Sequence, residues 1–483
     1  MQTHGGFMKQ ANLIAGGWIG ADSGKTITVT DPATGTVIGT VPDCGRAETR
    51  RAIEAADRAF GAFRKTTAAE RAAMLTKLAG LIREHAEPLA RLLTLEQGKP
   101  LAEARGEIMM SAAYVQWFAE EARRVYGDII PSPWADRRIL VMREPVGVVG
   151  AITPWNFPSS MIARKLGAAV AAGCTIVIKP ADLTPFSGLA WGDLCERAGV
   201  PAGVVNIVTG QAPEIGAELT ANPLVRKITF TGSTPVGKLL VAQSATTMKR
   251  MSMELGGNAP FIVFDDADLE RAVQGAMMAK YRNAGQTCVC TNRFYVQAGI
   301  HDAFSRRLAE EVAKVTVGPG FEANVQLGPL IDERALAKVE AHLADALGQG
   351  ARVLTGGQRH SLGGTFFQPT VIAGATQAMR VAREETFGPL APVFRFEKEE
   401  EAITWANSTE FGLAAYFYTR DLARSFRVAE ALKYGMVGVN EGLITTEVAP
   451  FGGVKESGLG REGSRYGLDD YLDMKYVNIG GLG

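Results

Sequence analysis

With 483 residues, the chain is too long for one ordinary domain, and two or three domains are expected. Its 51 lysine and arginine residues balance its 51 aspartate and glutamate residues, which argues against a nucleic-acid partner. Hydrophobic residues make up 46% of the chain, as in globular proteins, but no apolar stretch approaches the about 20 residues of a membrane span.

The N-terminal part of the chain is predicted to be mainly helical. Residues 1–12 lack the apolar core of a secretory signal, so none is expected. The spacing of apolar residues predicts helices over 48–63, 68–85, 88–96 and 103–123. Residues 129–142 then read as a strand that lies outside any core.

From residue 146 to 264, short apolar runs alternate with helical patterns. The runs predict strands over residues 146–152, 175–179, 204–208, 227–230 and 250–254. The patterns between them predict helices over residues 160–172, 187–198, 213–220 and 235–244. This alternation is typical of a parallel sheet with helices on both faces.

A second α/β region is predicted to start near residue 258. Its helices are expected over 269–282, 302–315 and 332–348, with strands over 294–296 and 394–396. The tail, residues 468–479, reads as another strand outside the cores.

Two turns at predicted strand ends could approach a phosphate group. Residues 230–237 (FTGSTPVG) follow a strand and open a helix, where backbone N–H groups bind phosphate well. The usual G-x-G-x-x-G pattern is absent, so a simple strand-to-helix turn stays equally open. Lys179 ends another strand and suits a ribose or a phosphate, although a solvated lysine is the commoner outcome.

A candidate nucleophile and a candidate base stand in unusual settings. Five cysteines are too few for a disulfide framework, which predicts a reducing cytoplasm. Cys288 lies among small residues (283–290, NAGQTCVC) that suit a thiolate nucleophile, while a buried inert thiol is the alternative. Glu254 ends a strand before Gly256 and Gly257 and could activate water, or it could be a surface carboxylate. None of the five histidines stands in such a motif, which argues against a Cys-His hydrolase.

Together these motifs resemble those of the aldehyde dehydrogenase superfamily, over residues 12–480. The matching segments share one order and spacing: 154–158 (PWNFP), 179–180 (KP), 230–233 (FTGS), 254–257 (ELGG), 285–288 (GQTC), 385–389 (ETFGP) and 450–453 (PFGG). The resemblance implies an α/β fold with two doubly wound parallel-sheet domains and a small β oligomerisation arm. The implied NAD(P)-binding domain comprises residues 1–127, 146–257 and 455–466. The catalytic domain comprises 258–454, and the arm comprises 128–145 and 467–483.

The resemblance also implies a role for each matching position. Cys288 attacks the aldehyde, the Asn156 amide and the Cys288 N–H hold the oxyanion, and Glu254 activates the water that hydrolyses the thioester. No metal is expected. The implied NAD(P)-binding positions are Thr153, Trp155, Lys179, Pro180, Asp182, Gly210, Gly216, Phe230, Thr231, Gly232, Ser233, Val236, Leu255, Glu385 and Phe387.

Within the superfamily the chain is most similar to bacterial succinate-semialdehyde dehydrogenases. The similarity lies in residues 94–100 (TLEQGKP), 282–290 and 447–450. It implies that Arg164, Arg282 and Thr445 hold the distal carboxylate of the substrate. A guanidinium group binds a sulfonate as well as a carboxylate. The subfamily usually has Ser at position 445 and often Thr at position 441, which is Glu441 here, so glutarate semialdehyde and 3-sulfolactaldehyde stay open as substrates.

Four further expectations follow from the resemblance. The acidic Asp182 predicts NAD as the preferred cofactor, with some use of NADP. Cys290 is expected to form a reversible disulfide with Cys288, unless it is a spectator thiol. The arm predicts a homotetramer built from two dimers. A CoA-acylating enzyme and a catalytically silent structural relative remain as alternatives, although the presence of Glu254 and Cys288 argues against both.

Overall fold

The computed structural model describes residues 6–482, so the predictions that touch residues 1–5 and 483 lie outside the described part. Within that range the helices are α1 (Arg46–Phe63), α2 (Ala68–Glu84), α3 (Ala86–Gln97), α4 (Leu101–Glu121), α5 (Ser160–Ala172), α6 (Pro185–Ala198), α7 (Ala212–Ala221), α8 (Thr234–Ser244), α9 (Leu269–Tyr281), α10 (His301–Val312), α11 (Glu333–Gly348), α12 (Arg380–Arg383), α13 (Glu399–Asn407) and α14 (Leu422–Ala431).

The strands form two large sheets and two small ones. They are β1 (Asn12–Ile14), β2 (Gly17–Ile19), β3 (Thr26–Thr30), β4 (Val37–Pro42), β5 (Asp128–Ile130), β6 (Arg138–Pro145), β7 (Val148–Ile152), β8 (Thr175–Lys179), β9 (Val205–Ile207), β10 (Val225–Thr231), β11 (Arg250–Glu254), β12 (Ala259–Val263), β13 (Thr291–Gln297), β14 (Arg352–Thr355), β15 (Thr370–Ala373), β16 (Leu390–Phe396), β17 (Ala414–Tyr418), β18 (Met436–Val439), β19 (Gly458–Leu459) and β20 (Leu472–Ile479).

The first large sheet has the order β19-β11-β10-β7-β8-β9-β1-β2. Strands β7 to β11 are parallel, and the edge strands β1, β2 and β19 are antiparallel. Strand β8 is buried along its whole length because helices cover both faces. Successive strands extend from β7 through β8 to β9 on one side of the sheet, and from β10 to β11 on the other side. The switch point between β7 and β10 opens a crevice at the carboxyl ends of these strands.

The second large sheet has the order β14-β15-β16-β13-β12-β17-β18. All of its pairings are parallel except that of β14 with β15. Each large sheet has its own buried apolar core. The predicted α/β architecture with two parallel-sheet domains is confirmed, whereas the exact domain bounds stay a prediction.

The third sheet consists of β5, β6 and β20, with antiparallel pairing throughout. The predicted strand over 129–142 is wrong as a single element, because Pro131 and Pro133 lack the N–H donors of a strand and separate β5 from β6. The predicted tail strand begins at Leu472 and not at residue 468, because a 3-10 helix occupies Arg465–Tyr471 and buries Leu468.

Several elements escaped the sequence patterns. Strands β12 and β17 lie in the middle of the second sheet and are buried throughout, so they show no alternation of polar and apolar residues. Helix α5, by contrast, is found at the predicted residues 160–172, although it is buried on every side. The predicted helix over 269–282 ends at Tyr281, because Asn283 and Ala284 adopt left-handed backbone conformations.

No helix within residues 6–482 is both long and apolar enough to cross a membrane. The same part of the chain contains no group of three or more His, Cys, Asp or Glu residues arranged to hold a metal ion.

Candidate active site

Two cavities meet at Cys288, beside the switch point of the first sheet. One has a volume of about 240 Å³ and the other about 350 Å³. Met161 also lines both cavities. The first cavity contains the predicted substrate residues and the second contains most of the predicted nicotinamide-side residues, so the fold brings together groups that are far apart in sequence.

Cys288 lies at the end of a tight loop that connects α9 to β13. The loop turns back on itself through three consecutive left-handed residues, Asn283 (φ 51°), Ala284 (φ 55°) and Gly285 (φ 74°). Cys288 is partly exposed and lines both cavities. Burial raises the pKa of Cys288 to about 12, and the charge of Arg164 opposes that rise. At neutral pH the resting group is therefore a thiol that must lose a proton to react.

Glu254 ends β11 beside β10 and is almost completely buried. Neither carboxylate oxygen has a hydrogen-bond partner among the described residues. Burial raises the pKa of Glu254 well above its ordinary value, and the nearby carboxylate of Glu462 raises it further, against the charges of Lys165 and Arg164. A carboxyl group with a raised pKa is a stronger base than an ordinary surface carboxylate, which suits it to accept a proton.

Lys165 and Glu462 form a buried ion pair close to Glu254. The Lys165 ammonium group also donates a hydrogen bond to the Thr231 hydroxyl, at 2.7 Å. The cofactor-side turn after β10 is thereby tied to α5, which carries Arg164 and Lys165 on adjacent positions.

Asn156 lies in the loop that follows β7 and is buried. Its side-chain amide donates to the carbonyl oxygen of Gln286, at 3.0 Å, in the segment that leads to Cys288. Its own carbonyl accepts a hydrogen bond from the Lys99 ammonium group at 2.7 Å. The predicted oxyanion residue thus faces the predicted nucleophile loop.

The three predicted substrate residues line the first cavity together with Cys288. Arg164 is buried between the rings of Tyr114 and Phe451, with its guanidinium carbon 4.7 and 4.2 Å from their centroids. The other two residues of the set are Arg282 and Thr445. Placement in one cavity is the arrangement that the sequence motifs predict.

The second cavity contains part of the predicted cofactor set. Trp155 and Phe387 form an edge-to-face pair with centroids 5.6 Å apart. A Glu385 carboxylate oxygen accepts the Gly257 N–H at 3.1 Å, and burial raises the pKa of Glu385 to about 7. The other predicted cofactor residues in this cavity are Thr231, Gly232, Ser233 and Leu255.

The remaining predicted cofactor residues lie around the first sheet. The Thr153 N–H donates to the Lys179 carbonyl at 3.1 Å, which joins the ends of β7 and β8. Asp182 forms an ion pair with Lys179. The others, which do not line either cavity, are Pro180 after β8, Gly210 between β9 and α7, Gly216 in α7, Phe230 in β10 and Val236 in α8.

Cys290 does not share a cavity with Cys288. Its sulfur lies 3.5 Å from the Lys280 ammonium group and is buried. Both cysteines are free thiols in this structure.

Six charged or polar residues around the site were missed by the sequence patterns: Gln97, Lys99, Glu103, Glu107, Lys165 and Glu462. Lys99 and Lys165 are buried lysines with buried carboxylate partners. A charged residue on a helix normally faces solvent, so the sequence carries no signal that separates these from surface residues. Only the segment around Lys99 stood out, as part of the family resemblance.

The sequence also matches known proteins over nearly its whole length. Three relatives are each 60% identical and cover 98% of both chains: a glutarate-semialdehyde dehydrogenase of Pseudomonas aeruginosa, a 3-sulfolactaldehyde dehydrogenase of Pseudomonas putida and an NADP(+) succinate-semialdehyde dehydrogenase of Escherichia coli.

A solved structure, that of succinate-semialdehyde dehydrogenase from Burkholderia pseudomallei, is 60% identical over 98% of both chains and superposes with a TM-score of 0.97. The sequence model of the aldehyde dehydrogenase family matches residues 18–477. Fold, sequence and site therefore agree, and the chain is an oxidoreductase that belongs to the aldehyde dehydrogenase family.

Proposed function

We propose that this enzyme oxidises a short aldehyde with a distal anionic group to the carboxylate, with succinate semialdehyde as its preferred substrate. The observation that carries this proposal is a single cavity with Cys288 at one end and Arg164 and Arg282 in its wall. The aldehyde carbon would meet the thiol while the distal anion meets the guanidinium groups.

The anion-binding part of the proposal is supported by unused hydrogen-bond donors. Arg164 is only 3% exposed, yet its Nε and Nη1 atoms have no hydrogen-bond partner among residues 6–482. Buried donors without partners are costly, so a ligand that accepts from them is favoured. Its contact with the Glu462 carboxylate, at 3.9 Å, is too long for a hydrogen bond. A carboxylate or sulfonate fits this geometry.

The second cavity fits a nicotinamide dinucleotide. It lies at the carboxyl ends of β7 and β10, where the strand order reverses, and this is where such cofactors bind in α/β sheets. We propose that Glu385 and Phe387 hold the nicotinamide ribose and ring, and that the turn at Gly232 and Ser233 lies along the pyrophosphate. The bound cofactor supplies the acceptor for the hydride that leaves the substrate carbon.

The residues of this chain then have separate tasks. The Cys288 thiolate adds to the aldehyde carbon and later carries the acyl group as a thioester. The Asn156 amide and the Cys288 N–H stabilise the oxyanion, and one such donor is worth about 3–4 kcal/mol in a transition state. Glu254 accepts a proton from the water that hydrolyses the thioester.

We propose NAD as the preferred cofactor, with some use of NADP. Asp182 stands at the end of β8 beside Lys179, and its carboxylate repels a 2′-phosphate. Because Asp is shorter than Glu, that repulsion is incomplete.

We also propose that Cys290 protects the active site by forming a reversible disulfide with Cys288 under oxidation. The basis is its position two residues from Cys288 and next to the Lys280 ammonium group. Peroxide should inactivate the wild type in a way that dithiothreitol reverses. Equal reversal in Cys290→Ala would reject the proposal.

We propose a cytoplasmic homotetramer, built from dimers through the β5-β6-β20 sheet. In that sheet β20 and β5 are edge strands with unpaired backbone groups. Added strands from a second copy would satisfy these groups.

The test of the substrate assignment is a steady-state comparison of three aldehydes with NAD and NADP. Succinate semialdehyde, glutarate semialdehyde and 3-sulfolactaldehyde are supplied to the same enzyme preparation, and propanal serves as the uncharged control. We expect the highest kcat/KM with succinate semialdehyde and NAD. A higher kcat/KM with propanal would overturn the proposed anion site. If an acyl-CoA forms when CoA is added, the thioester is released by acyl transfer and not by hydrolysis.

A further inference from the structure

A cluster of polar side chains lies between the loop of Asn156 and the loop of Cys288. It consists of Gln97, Lys99, Glu103 and Glu107, and we call it the 97–107 cluster. Gln97 ends α3, Lys99 lies in the connection to α4, and Glu103 and Glu107 lie in the first two turns of α4. Gln97, Lys99 and Glu107 are at most 5% exposed, and Glu103 lines the first cavity.

One side of the cluster holds the Asn156 loop. Lys99 donates to the Asn156 carbonyl at 2.7 Å and forms an ion pair with Glu107 at 2.6 Å. The other oxygen of Glu107 accepts the backbone N–H groups of Ser159 and Ser160, at 2.9 and 3.1 Å. Glu107 of α4 therefore holds the C-terminal end of this loop directly and its middle through Lys99.

The other side of the cluster holds the Cys288 loop. Gln97 donates its side-chain amide to the Asn283 side-chain oxygen at 3.0 Å, and Glu103 accepts the Asn283 backbone N–H at 2.8 Å. The Asn283 side chain in turn donates to the Asn156 carbonyl at 3.0 Å. Asn283 thus joins the two loops directly.

The Cys288 loop needs external support because its backbone is strained. Asn283 and Ala284 both have φ values above +50°, and a left-handed alanine has no side-chain hydrogen bond to offset its cost. Such conformations persist only where surrounding contacts enforce them. Gln97 and Glu103 both form hydrogen bonds with Asn283, the first of the two strained residues.

An aromatic ring adds a further link between the loops. Phe157, next to Asn156, has the Lys99 ammonium nitrogen 3.9 Å from its ring centroid and the Arg282 guanidinium carbon 4.9 Å from it. Contacts of this kind are favourable when desolvated. The cluster therefore touches both loops and one proposed substrate residue.

We propose that the 97–107 cluster consists of positioning residues. They hold Asn156 and Cys288 at the distance and orientation that attack on the aldehyde requires. Asn156 follows β7 of the first sheet, whereas Cys288 lies in the connection between α9 and β13 of the second, so nothing in either sheet alone sets their separation. This inference rests on the roles proposed above for Asn156 and Cys288.

The test compares a reaction that needs both groups with one that needs only the thiol. The first is the single-turnover rate of NADH formation from succinate semialdehyde, measured by stopped flow. The second is the rate of alkylation of Cys288 by iodoacetamide, measured by peptide mass spectrometry. In Glu103→Ala we expect NADH formation to fall at least tenfold, while alkylation stays within threefold of wild type and Tm changes little.

Two variants complete the comparison. Glu103→Gln keeps an oxygen that accepts the Asn283 N–H, and we expect it to restore most of the NADH rate. Arg105→Ala, on α4 like Glu103, removes an exposed ion pair with Glu87 of α3 and should match the wild type. If Glu103→Ala does not fold, Lys99→Met combined with Glu107→Gln takes its place, because it leaves no unpaired buried charge.

A double-mutant cycle decides whether the cluster acts through Asn156. Since the cluster positions that residue, Asn156→Ala combined with Glu103→Ala should be within threefold of Asn156→Ala alone. Full additivity of the two effects, or a wild-type NADH rate in Glu103→Ala, would overturn the inference. A wild-type rate in Asn156→Ala itself would instead overturn the proposed oxyanion role.

Discussion

Two side chains at the centre of the candidate site share a property that isolated motifs do not reveal, namely a buried setting that disfavours their charged forms. Burial raises the pKa of both Cys288 and Glu254, and Arg164 is the cation that opposes both changes. The proposed anion-binding arginine therefore also favours the thiolate of Cys288.

Substitution of Arg282 tests the anion site at the residue scale. In Arg282→Ala we expect KM for succinate semialdehyde to rise about 10- to 100-fold, because a hydrogen bond to a charged group contributes about 1.5–3 kcal/mol. Steady-state kinetics with propanal as the uncharged control measure the effect, and propanal should respond little. An unchanged kcat/KM for succinate semialdehyde would show that Arg282 does not hold the distal anion.

Substitution of Glu254 tests the hydrolytic step. Glu254→Gln should release about one equivalent of NADH per active site and then stop, because the thioester forms but water is not activated. In the wild type, a carboxyl group with a raised pKa is protonated at low pH and accepts a proton only above that pKa. The hydrolysis rate should therefore rise with pH in the wild type and lose this dependence in the variant, as followed by stopped-flow absorbance. Sustained turnover by Glu254→Gln would assign the base elsewhere.

At the scale of elements, the carboxyl ends of the parallel strands assemble the cofactor side of the site. Strands β7, β8, β10 and β11 end beside one another in the first sheet. Each is followed by a residue proposed to bind the cofactor or to act in catalysis. The parallel arrangement places these residues at one edge, although Asn156 and Leu255 are 99 positions apart in the sequence.

The end of β8 controls the choice of cofactor in our proposal. Asp182→Ser removes the carboxylate that repels a 2′-phosphate and frees the Lys179 ammonium group to bind that phosphate. We expect the ratio of kcat/KM for NADP to that for NAD to rise at least tenfold, measured from initial rates. Leu183→Ala, at the exposed neighbouring position, serves as the control. A wild type that already prefers NADP strongly would contradict the role given to Asp182.

At the scale of the whole molecule, the active site belongs to neither sheet alone. Asn156 and Glu254 come from the first sheet, whereas Cys288, Arg282 and Glu385 come from loops of the second. Buried polar contacts cross the boundary, including that from Asn156 to Gln286. The relative position of the two domains is therefore part of the catalytic geometry.

The third sheet offers a test of the proposed assembly. Deletion of residues 474–483 removes most of β20, which pairs with the full length of β6. We expect the deletion to lower the mass measured by light scattering from that of a tetramer to that of a dimer or monomer. Lys475→Ala, which removes only the ion pair with Glu144, should keep the wild-type mass. A full-size assembly after the deletion would place the interface on another surface.

The printed sequence was enough to predict the α/β class, the family and a candidate set of site residues, because those residues lie in short motifs with one order and spacing. The fold and the family are confirmed, and Arg164, Arg282, Thr445 and Cys288 do line one cavity. Local patterns failed where burial is complete, as in β12 and β17, since period-two alternation requires one exposed face.

The surroundings of those motifs became visible only in the folded chain. It placed Lys165 and Glu462, almost 300 positions apart, next to Glu254, and it put the 97–107 cluster between the two reacting loops. It also separated Cys290 from the cavities of Cys288. The physical reason is that a charged side chain looks the same in the sequence whether it faces solvent or a buried partner. Which of the two it meets depends on how helices and sheets pack, and that is set by contacts between distant parts of the chain.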